Sequence, residues 1–245
     1  MRIGVLSDIH SNYEALDAVL EDAVSRVVDG WWLLGDAVGY GGDPDAVVNR
    51  LRSLRLLAMV RGNHDKVIAG IEEPEGFSPI ARDAALHTRS LIREASRAFL
   101  RALPKGPVRV SAEVALCHGS WQDEDLYLLR REDIARVFDR MEASLLFFGH
   151  THRAGLYVQC DATVGELLCE PGVAVELPRR GRYLVNPGSV GQPRDRDVRA
   201  AYAIFDTDSW SLTFARVPYD VEKAQLRILA AGLPEVHALR LAEGR

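Results

Sequence analysis

Residues 3–10, Ile3-Gly4-Val5-Leu6-Ser7-Asp8-Ile9-His10, set a pattern that the rest of the chain repeats. A short apolar run without polar alternation suits a strand covered on both faces. It ends in two polar groups, Asp8 and His10, which lie two residues apart and so point the same way from an extended segment. Four more apolar runs end in the same manner. Trp31–Leu34 leads into Gly35-Asp36, and Leu56–Val60 into Gly62-Asn63-His64-Asp65. Val114–Leu116 leads into Cys117-His118-Gly119, and Leu145–Phe148 into Gly149-His150-Thr151-His152.

Helical patterns separate the early runs. Leu16, Val19, Leu20, Ala23, Val24 and Val27 follow helical spacing after Ser11 or Asn12 as cap. Asp43-Pro44 opens a second helix with Val47, Val48, Leu51 and Leu54 on its apolar face. Residues 79–103 read as further helix, closed by Pro104 and Gly106. Alternating strands and helices predict an α/β sheet with right-handed crossovers. After residue 155 the character changes. Tyr157–Cys160, Val173–Leu177, Arg182–Val185, Ala201–Asp206 and Ser211–Val217 read as short strands in a meander forming a second sheet, followed by a helix over 220–231.

In an open α/β sheet the carboxyl ends of the strands share one rim, where ligands bind. The five polar clusters therefore converge although far apart in sequence, and they contain five of the seven histidines; His87 and His237 stand outside. A core cannot hold so many polar groups unless a metal or hydrogen bonds satisfy them. Imidazole mixed with carboxylate suits borderline divalent ions such as Mn, Fe, Zn, Ni or Co. Seven candidate ligands exceed what one four-coordinate ion needs, and two ions sharing a carboxylate, ~3.5–4 Å apart, fit better. A water between two dications would be largely hydroxide near neutral pH and so a nucleophile.

Composition narrows the remaining classes. The chain has 245 residues, 47% of them hydrophobic and 27% charged, which excludes disorder and disulfide scaffolds and fits one domain over 1–245. Its net charge of −5 and the absence of a basic, aromatic-interleaved stripe argue against a nucleic-acid partner. Cys117, Cys160 and Cys169 are odd in number and not spaced as C-x-x-C, as expected of reduced thiols. Cys117 alternates away from His118 and is expected in the core. The first apolar run is too short for a signal peptide and no run approaches a membrane span. A cytoplasmic location is expected, and an oligomer stays open.

The ordered set D-x-H, G-D, G-N-H-D, H-G and G-H-T-H resembles the calcineurin-like metallophosphoesterase superfamily. The segment Asn186-Pro187-Gly188-Ser189-Val190-Gly191-Gln192-Pro193-Arg194 is similar to its small bacterial and archaeal phosphodiesterase branch. The resemblance implies a four-layer α/β/β/α sandwich of two mixed sheets. It implies that Asp8, His10 and His152 hold one divalent metal ion, that Asn63, His118 and His150 hold a second, and that Asp36 bridges both. His64 would sit over the substrate phosphate rather than bind metal, so that His64, Asp36 and Asn63 carry the catalysis. The implied activity is hydrolysis of small phosphodiesters by a metal-bridging hydroxide. A phosphomonoesterase, a dinucleoside polyphosphatase, a nuclease and a non-catalytic scaffold of the same fold are the alternatives.

Substrate contacts are read less directly. Arg153, Arg194, Arg196 and Arg199 stand beside the motifs and could grip a second phosphate or carboxylate. The alternation Arg194-Asp195-Arg196-Asp197 equally suits a self-paired surface loop. Tyr40 either stacks on an aromatic leaving group or packs under its glycine-rich loop. Asp65 either orients His64 or caps the following helix. Trp121 is either a pocket wall or core.

Overall fold

Three strand–helix units open the computed structural model, which describes residues 1–161 and 163–245. They are β1 (Arg2–Leu6) with α1 (Tyr13–Ser25), β2 (Gly30–Leu33) with α2 (Pro44–Arg52), and β3 (Leu56–Met59) with α3 (Asn63–Ala69). Helices α4 (Pro79–Leu91) and α5 (Glu94–Arg101) precede β4 (Val108–Arg109), β5 (Val114–Leu116), α6 (Arg131–Arg140) and β6 (Leu145–Phe147). Then come β7 (Gly155–Cys160), β8 (Thr163–Leu167), β9 (Ala174–Glu176), β10 (Arg182–Asn186), β11 (Ala200–Asp206) and β12 (Ser211–Val217). Helices α7 (Val221–Ala230) and α8 (Glu235–Leu241) close the order. Among the described residues no helix is long and apolar enough to cross a membrane.

The strands form two mixed sheets of six, ordered β3-β2-β1-β11-β12-β9 and β4-β5-β6-β10-β7-β8. Strands β1, β2 and β3 run parallel, as do β5, β6 and β10. Alternation sorts their side chains into layers. Ile3, Val5, Trp32, Phe147, Val185 and Phe205 fill the space between the sheets. Trp32 lies 5.5 Å from Phe147 of the facing sheet and 6.0 Å from Phe205 of its own, an aromatic joint across the layer. Leu6, Trp31, Leu33 and Tyr202 face outward and are covered by α1, α2 and α5. Ala115, Cys117, Leu146 and Phe148 face the other way, toward α6. The layers are thus helix, sheet, sheet, helix, with adjacent Trp31 and Trp32 buried on opposite faces. Each fully buried large apolar side chain contributes ~1.5–3 kcal/mol.

Several expectations need correction. The strands after residue 155 do not make a second sheet by themselves: β9, β11 and β12 extend the sheet of β1, while β7, β8 and β10 extend that of β6. Strand β3 is not covered on both faces; it is an edge, and Leu57 is exposed. Helix α1 stops at Ser25, leaving Val24 78% exposed and Val27 outside the helix. Asn12 is its cap, accepting from the Ala15 amide, a contact worth ~1 kcal/mol. Its Nδ2 also donates to the Gly191 carbonyl, tying α1 to the loop after β10. Residues 79–103 form two helices rather than one. Ile92 turns extended and drops into the core, and Asp45 of α2 accepts from the Arg93 amide and the Ser96 hydroxyl, capping α5 from another helix.

Candidate metal centre

All five polar clusters stand at carboxyl ends of parallel strands, where the chain must turn sharply. Asp8, His10, Asp36, His150 and His152 all have positive φ, between 49° and 66°. Non-glycine residues held in this left-handed region cost on the order of 1–3 kcal/mol each and persist only where surroundings over-determine them. Here the loops are laced to one another. The amides of Asp8 and His10 donate to the Gly35 and Asp36 carbonyls, and the Gly149 amide to the His118 carbonyl. The Asn186–Gln192 segment completes the lacing. Ser189 Oγ and the Gly191 amide donate to the Asp8 carbonyl, and Asn186 Nδ2 donates to the Gly149 carbonyl.

These turns gather the side chains into two adjoining sets. In one, His10 Nε2 lies 3.1 Å from His152 Nε2, which is 3.3 Å from Asp8 Oδ1. In the other, His118 Nε2 lies 3.0 Å from His150 Nδ1 and 3.2 Å from Asn63 Oδ1. Asp36 Oδ2 stands between the sets, 3.6 Å from His10 Nε2 and 3.4 Å from His118 Nε2. The two aspartates and the four imidazoles are all buried.

The outer nitrogens decide what the inner ones can do. Each of the four imidazoles presents its outer ring nitrogen to a backbone carbonyl. His10 Nδ1 meets Val38 O at 3.2 Å, His118 Nδ1 meets Leu34 O at 2.7 Å, His152 Nδ1 meets Gln192 O at 2.6 Å, and His150 Nε2 meets Asp125 O at 2.9 Å. A carbonyl only accepts, so each outer nitrogen carries the proton and each inner one, in the neutral ring, a lone pair. His10 and His152 therefore confront each other lone pair to lone pair, and so do His118 and His150 whenever His118 is neutral. Such pairs need positive charge between them. This donor set, with its ring orientations fixed by outer hydrogen bonds, fits divalent metal ions.

Electrostatics agree for His10, His150 and His152, while on His118 a proton supplies the positive charge that such a pair needs. Burial, above all, drives His10, His152 and His150 well below the usual imidazole range. Burial also opposes charge on His118, but Asp36, Asp8 and the Leu34 carbonyl outweigh it and lift its pKa to about 10. Burial would raise Asp36, yet His118, His64 and His10 hold it well below the carboxylate range. Asp8 is pushed up to about 6, chiefly by burial and then by Asp36.

His64 opens α3. Its amide donates to Asp36 Oδ1 at 2.9 Å, and its ring is held between Tyr40 and Phe77, with centroids 4.4 and 4.7 Å away. Burial foremost lowers its pKa to about 4, so the ring is neutral at pH 7. Its Nδ1 is buried without a partner. Asp65 does not reach it. The Asp65 carboxylate accepts from the Gly62 and Val38 amides and acts as a cap. Gly62 has no room for a side chain, since a Cβ there would lie 2.1 Å from Asp36 Oδ1 and 2.6 Å from the Asp36 amide nitrogen. Gly62→Ala is expected to displace Asp36 and cost ~1–3 kcal/mol of stability. Elemental analysis beside a melting curve checks this, with metal content reduced at unchanged secondary structure.

A cavity of about 470 Å³ opens above Asn63, His64 and His150. Tyr40, Phe77 and Tyr127 are its aromatic wall; Tyr127 stacks on His150 with centroids 3.6 Å apart. Arg194 lines it too. Arg153 does not: it is exposed, and its Nε donates to the Arg194 carbonyl. The arginine–aspartate alternation divides, with Asp195 held by Arg216, Asp197 by Arg199, and Arg194 left facing the cavity. Tyr40 is buried under its loop, and it also lines the cavity. Trp121 packs in the core beside α6 with Arg109 over its ring.

Sequence reasoning missed Phe77, Tyr127, Lys66 and Arg240 around this cavity, and the carbonyls of Asp125 and Gln192 behind His150 and His152. Lys66 is buried and joins α3 to Glu124 and Asp125, so the turn that carries Asn63 is fastened to the loop that orients His150. The burial of a lysine next to Asn63-His64 leaves no trace in periodicity.

Comparison with known proteins gives a consistent relationship. Residues 1–210 match the model of the calcineurin-like phosphoesterase superfamily domain. The chain is 37% identical over 251 residues to the uncharacterized protein MJ0912 of Methanocaldococcus jannaschii, covering 99% of this chain and 98% of that one. It is similar to the crystal structure of a metallophosphoesterase from Sphaerobacter thermophilus, with 37% identity, all of both chains covered and a TM-score of 0.88. It shares its fold with the hypothetical protein PH1004 of Pyrococcus horikoshii, at 20% identity and a TM-score of 0.79, over 100% of this chain and 98% of that one.

Proposed function

The chain belongs to the calcineurin-like phosphoesterase superfamily, and from that premise we propose that it hydrolyses small phosphodiesters with two divalent cations. The observation that carries the reading is the double approach of inner imidazole nitrogens, His10 to His152 and His118 to His150, with Asp36 set between the pairs. Asp8, His10 and His152 would hold one cation, and Asn63, His118 and His150 the other. Asp36 would touch both. The mixture of imidazole and carboxylate suits Mn, Fe, Zn, Ni or Co. Bound there, such ions lower the pKa of water toward neutrality and offset charge developing on phosphoryl oxygens.

The chain's own residues supply the rest. His64, neutral and wedged between two aromatic rings, presents an imidazole at the cavity floor as hydrogen-bond donor to a phosphoryl or leaving oxygen. Donation from a group already in place costs no reorganisation as charge develops. Tyr40, Phe77 and Tyr127 exclude water from one side and offer faces to a planar leaving group. Arg194 lends positive charge at the mouth. The acidic balance of the chain disfavours a polynucleotide substrate.

The test is hydrolysis of bis(p-nitrophenyl) phosphate with Mn²⁺ and then with excess chelator, beside p-nitrophenyl phosphate as monoester. Turnover is expected with the diester, lost on chelation and regained on adding back Mn²⁺, with two metal ions per chain by elemental analysis. Chelator-insensitive turnover, or activity confined to the monoester, overturns the reading.

A further inference from the structure

We propose that Arg194 and Arg240 form an anion-binding arm above the metal centre, which selects phosphoesters carrying a second anionic group. Arg240 is the specificity-determining residue. The inference rests on the phosphoester-hydrolase reading of the adjoining centre and names its substrate class more closely.

The argument begins with which charges around the cavity are already paired. Lys66 is bound by Glu72 and Asp125, and Glu73 by Arg89. Among the described residues, the lining side chains of permanent charge that have no oppositely charged partner are Arg194 and Arg240. Arg194 gives one Nη to Gln192 Oε1, while its Nε is buried without a partner. Its amide donates to the His152 carbonyl, which fixes it beside the centre, and its guanidinium lies 5.8 Å from the Tyr40 ring. Arg240 comes from α8, 46 positions later, and reaches the same wall. Other partly buried arginines are held by carboxylates, Arg61 by Glu124 and Arg216 by Asp195. Two guanidinium forks without a carboxylate partner, lining one cavity, match an incoming phosphate or carboxylate.

Placement separates Arg240 from the machinery that takes the reacting phosphoryl group. Helix α8 lies beyond residue 210, where the match to the family model ends. It is joined to the site through His237, whose ring packs 4.9 Å from that of Tyr40, itself 4.4 Å from His64. A ligand whose one anionic group sits over Asn63, His64 and His150 thus meets a second cationic station along the wall, with aromatic rings between.

The experiment compares ADP with AMP, which differ by one phosphate on the same nucleoside. Affinities are measured by calorimetry on Mn²⁺-loaded protein carrying His64→Ala, so that binding is read without dependence on turnover. ADP is expected to bind at least about 10-fold tighter than AMP. Arg240→Gln, which keeps much of the side-chain length, is expected to reduce that ratio to within about 2-fold, and Arg240→Lys to restore part of it. A ratio unchanged in Arg240→Gln, or no preference for ADP in the parent, overturns the proposal. Because the readout is a ratio of affinities, failure of the diesterase assay and failure of this arm are seen separately. Circular dichroism of Arg240→Gln, with Gln225→Ala as a control that loosens the α7–α8 contact without touching the cavity, shows whether loss of α8 alone changes the ratio. If the control reproduces the loss, Arg240 is not the determinant.

Discussion

Asp36→Asn is expected to strip the centre of its cations and to lower diester hydrolysis by ~10³-fold or more, since a metal's charge stabilisation is worth several kcal/mol and each 1.36 kcal/mol is tenfold. Asp36 stands within 3.6 Å of His10 and 3.4 Å of His118, one imidazole from each set, so a single neutral amide weakens both ends of the site together. Its other oxygen accepts from the His64 amide, a bond that Asn can keep. The turn should therefore survive while the charge is lost. The measurement is metal content by elemental analysis with the diester assay on the same sample. Two ions retained with undiminished turnover would remove Asp36 from the shared position.

The second large effect is expected at His64. His64→Ala should cost ~10²–10⁴ in turnover, the range of one positioned proton donor or oxyanion partner. Metal content should be unaffected. This contrast matters because His64 also lies close to His10 and Asp36, within reach of a common ion. Loss of one cation in His64→Ala would make His64 a ligand instead. The ring fills the gap between Tyr40 and Phe77, so some stability loss is expected as well. Far-UV circular dichroism separates that loss from loss of turnover.

The polar cluster was legible in the sequence because it is made of side chains at strand ends, and the same apolar-run-then-polar pattern occurs five times. Asp8, His10, Asp36, Asn63, His118, His150 and His152 could be written down before any coordinates. Their tautomers could not. Those depend on carbonyls of Val38, Leu34, Asp125 and Gln192, and a backbone oxygen does not depend on which residue bears it. The cavity wall was hidden for a different reason. Phe77 lies in a stretch before α4 without periodicity, Tyr127 in an irregular loop, and Arg240 on a helix whose apolar face is short. Sheet membership of β9, β11 and β12 was also out of reach. Local pattern specifies a strand, but its neighbours are chosen by long-range pairing.

Strand β1 carries Asp8 and His10, yet it lies between β2 and β11, and β11 begins at Ala200. On the ribosome, the first strand made thus waits for a neighbour nearly two hundred residues away before its free edge is closed. The Asp8 carbonyl likewise waits for Ser189 and Gly191. Contacts so distant along the chain form slowly. Any metal uptake by this cluster is then expected late in biosynthesis, and nascent chains arrested before residue 200 are expected to bind no divalent cation.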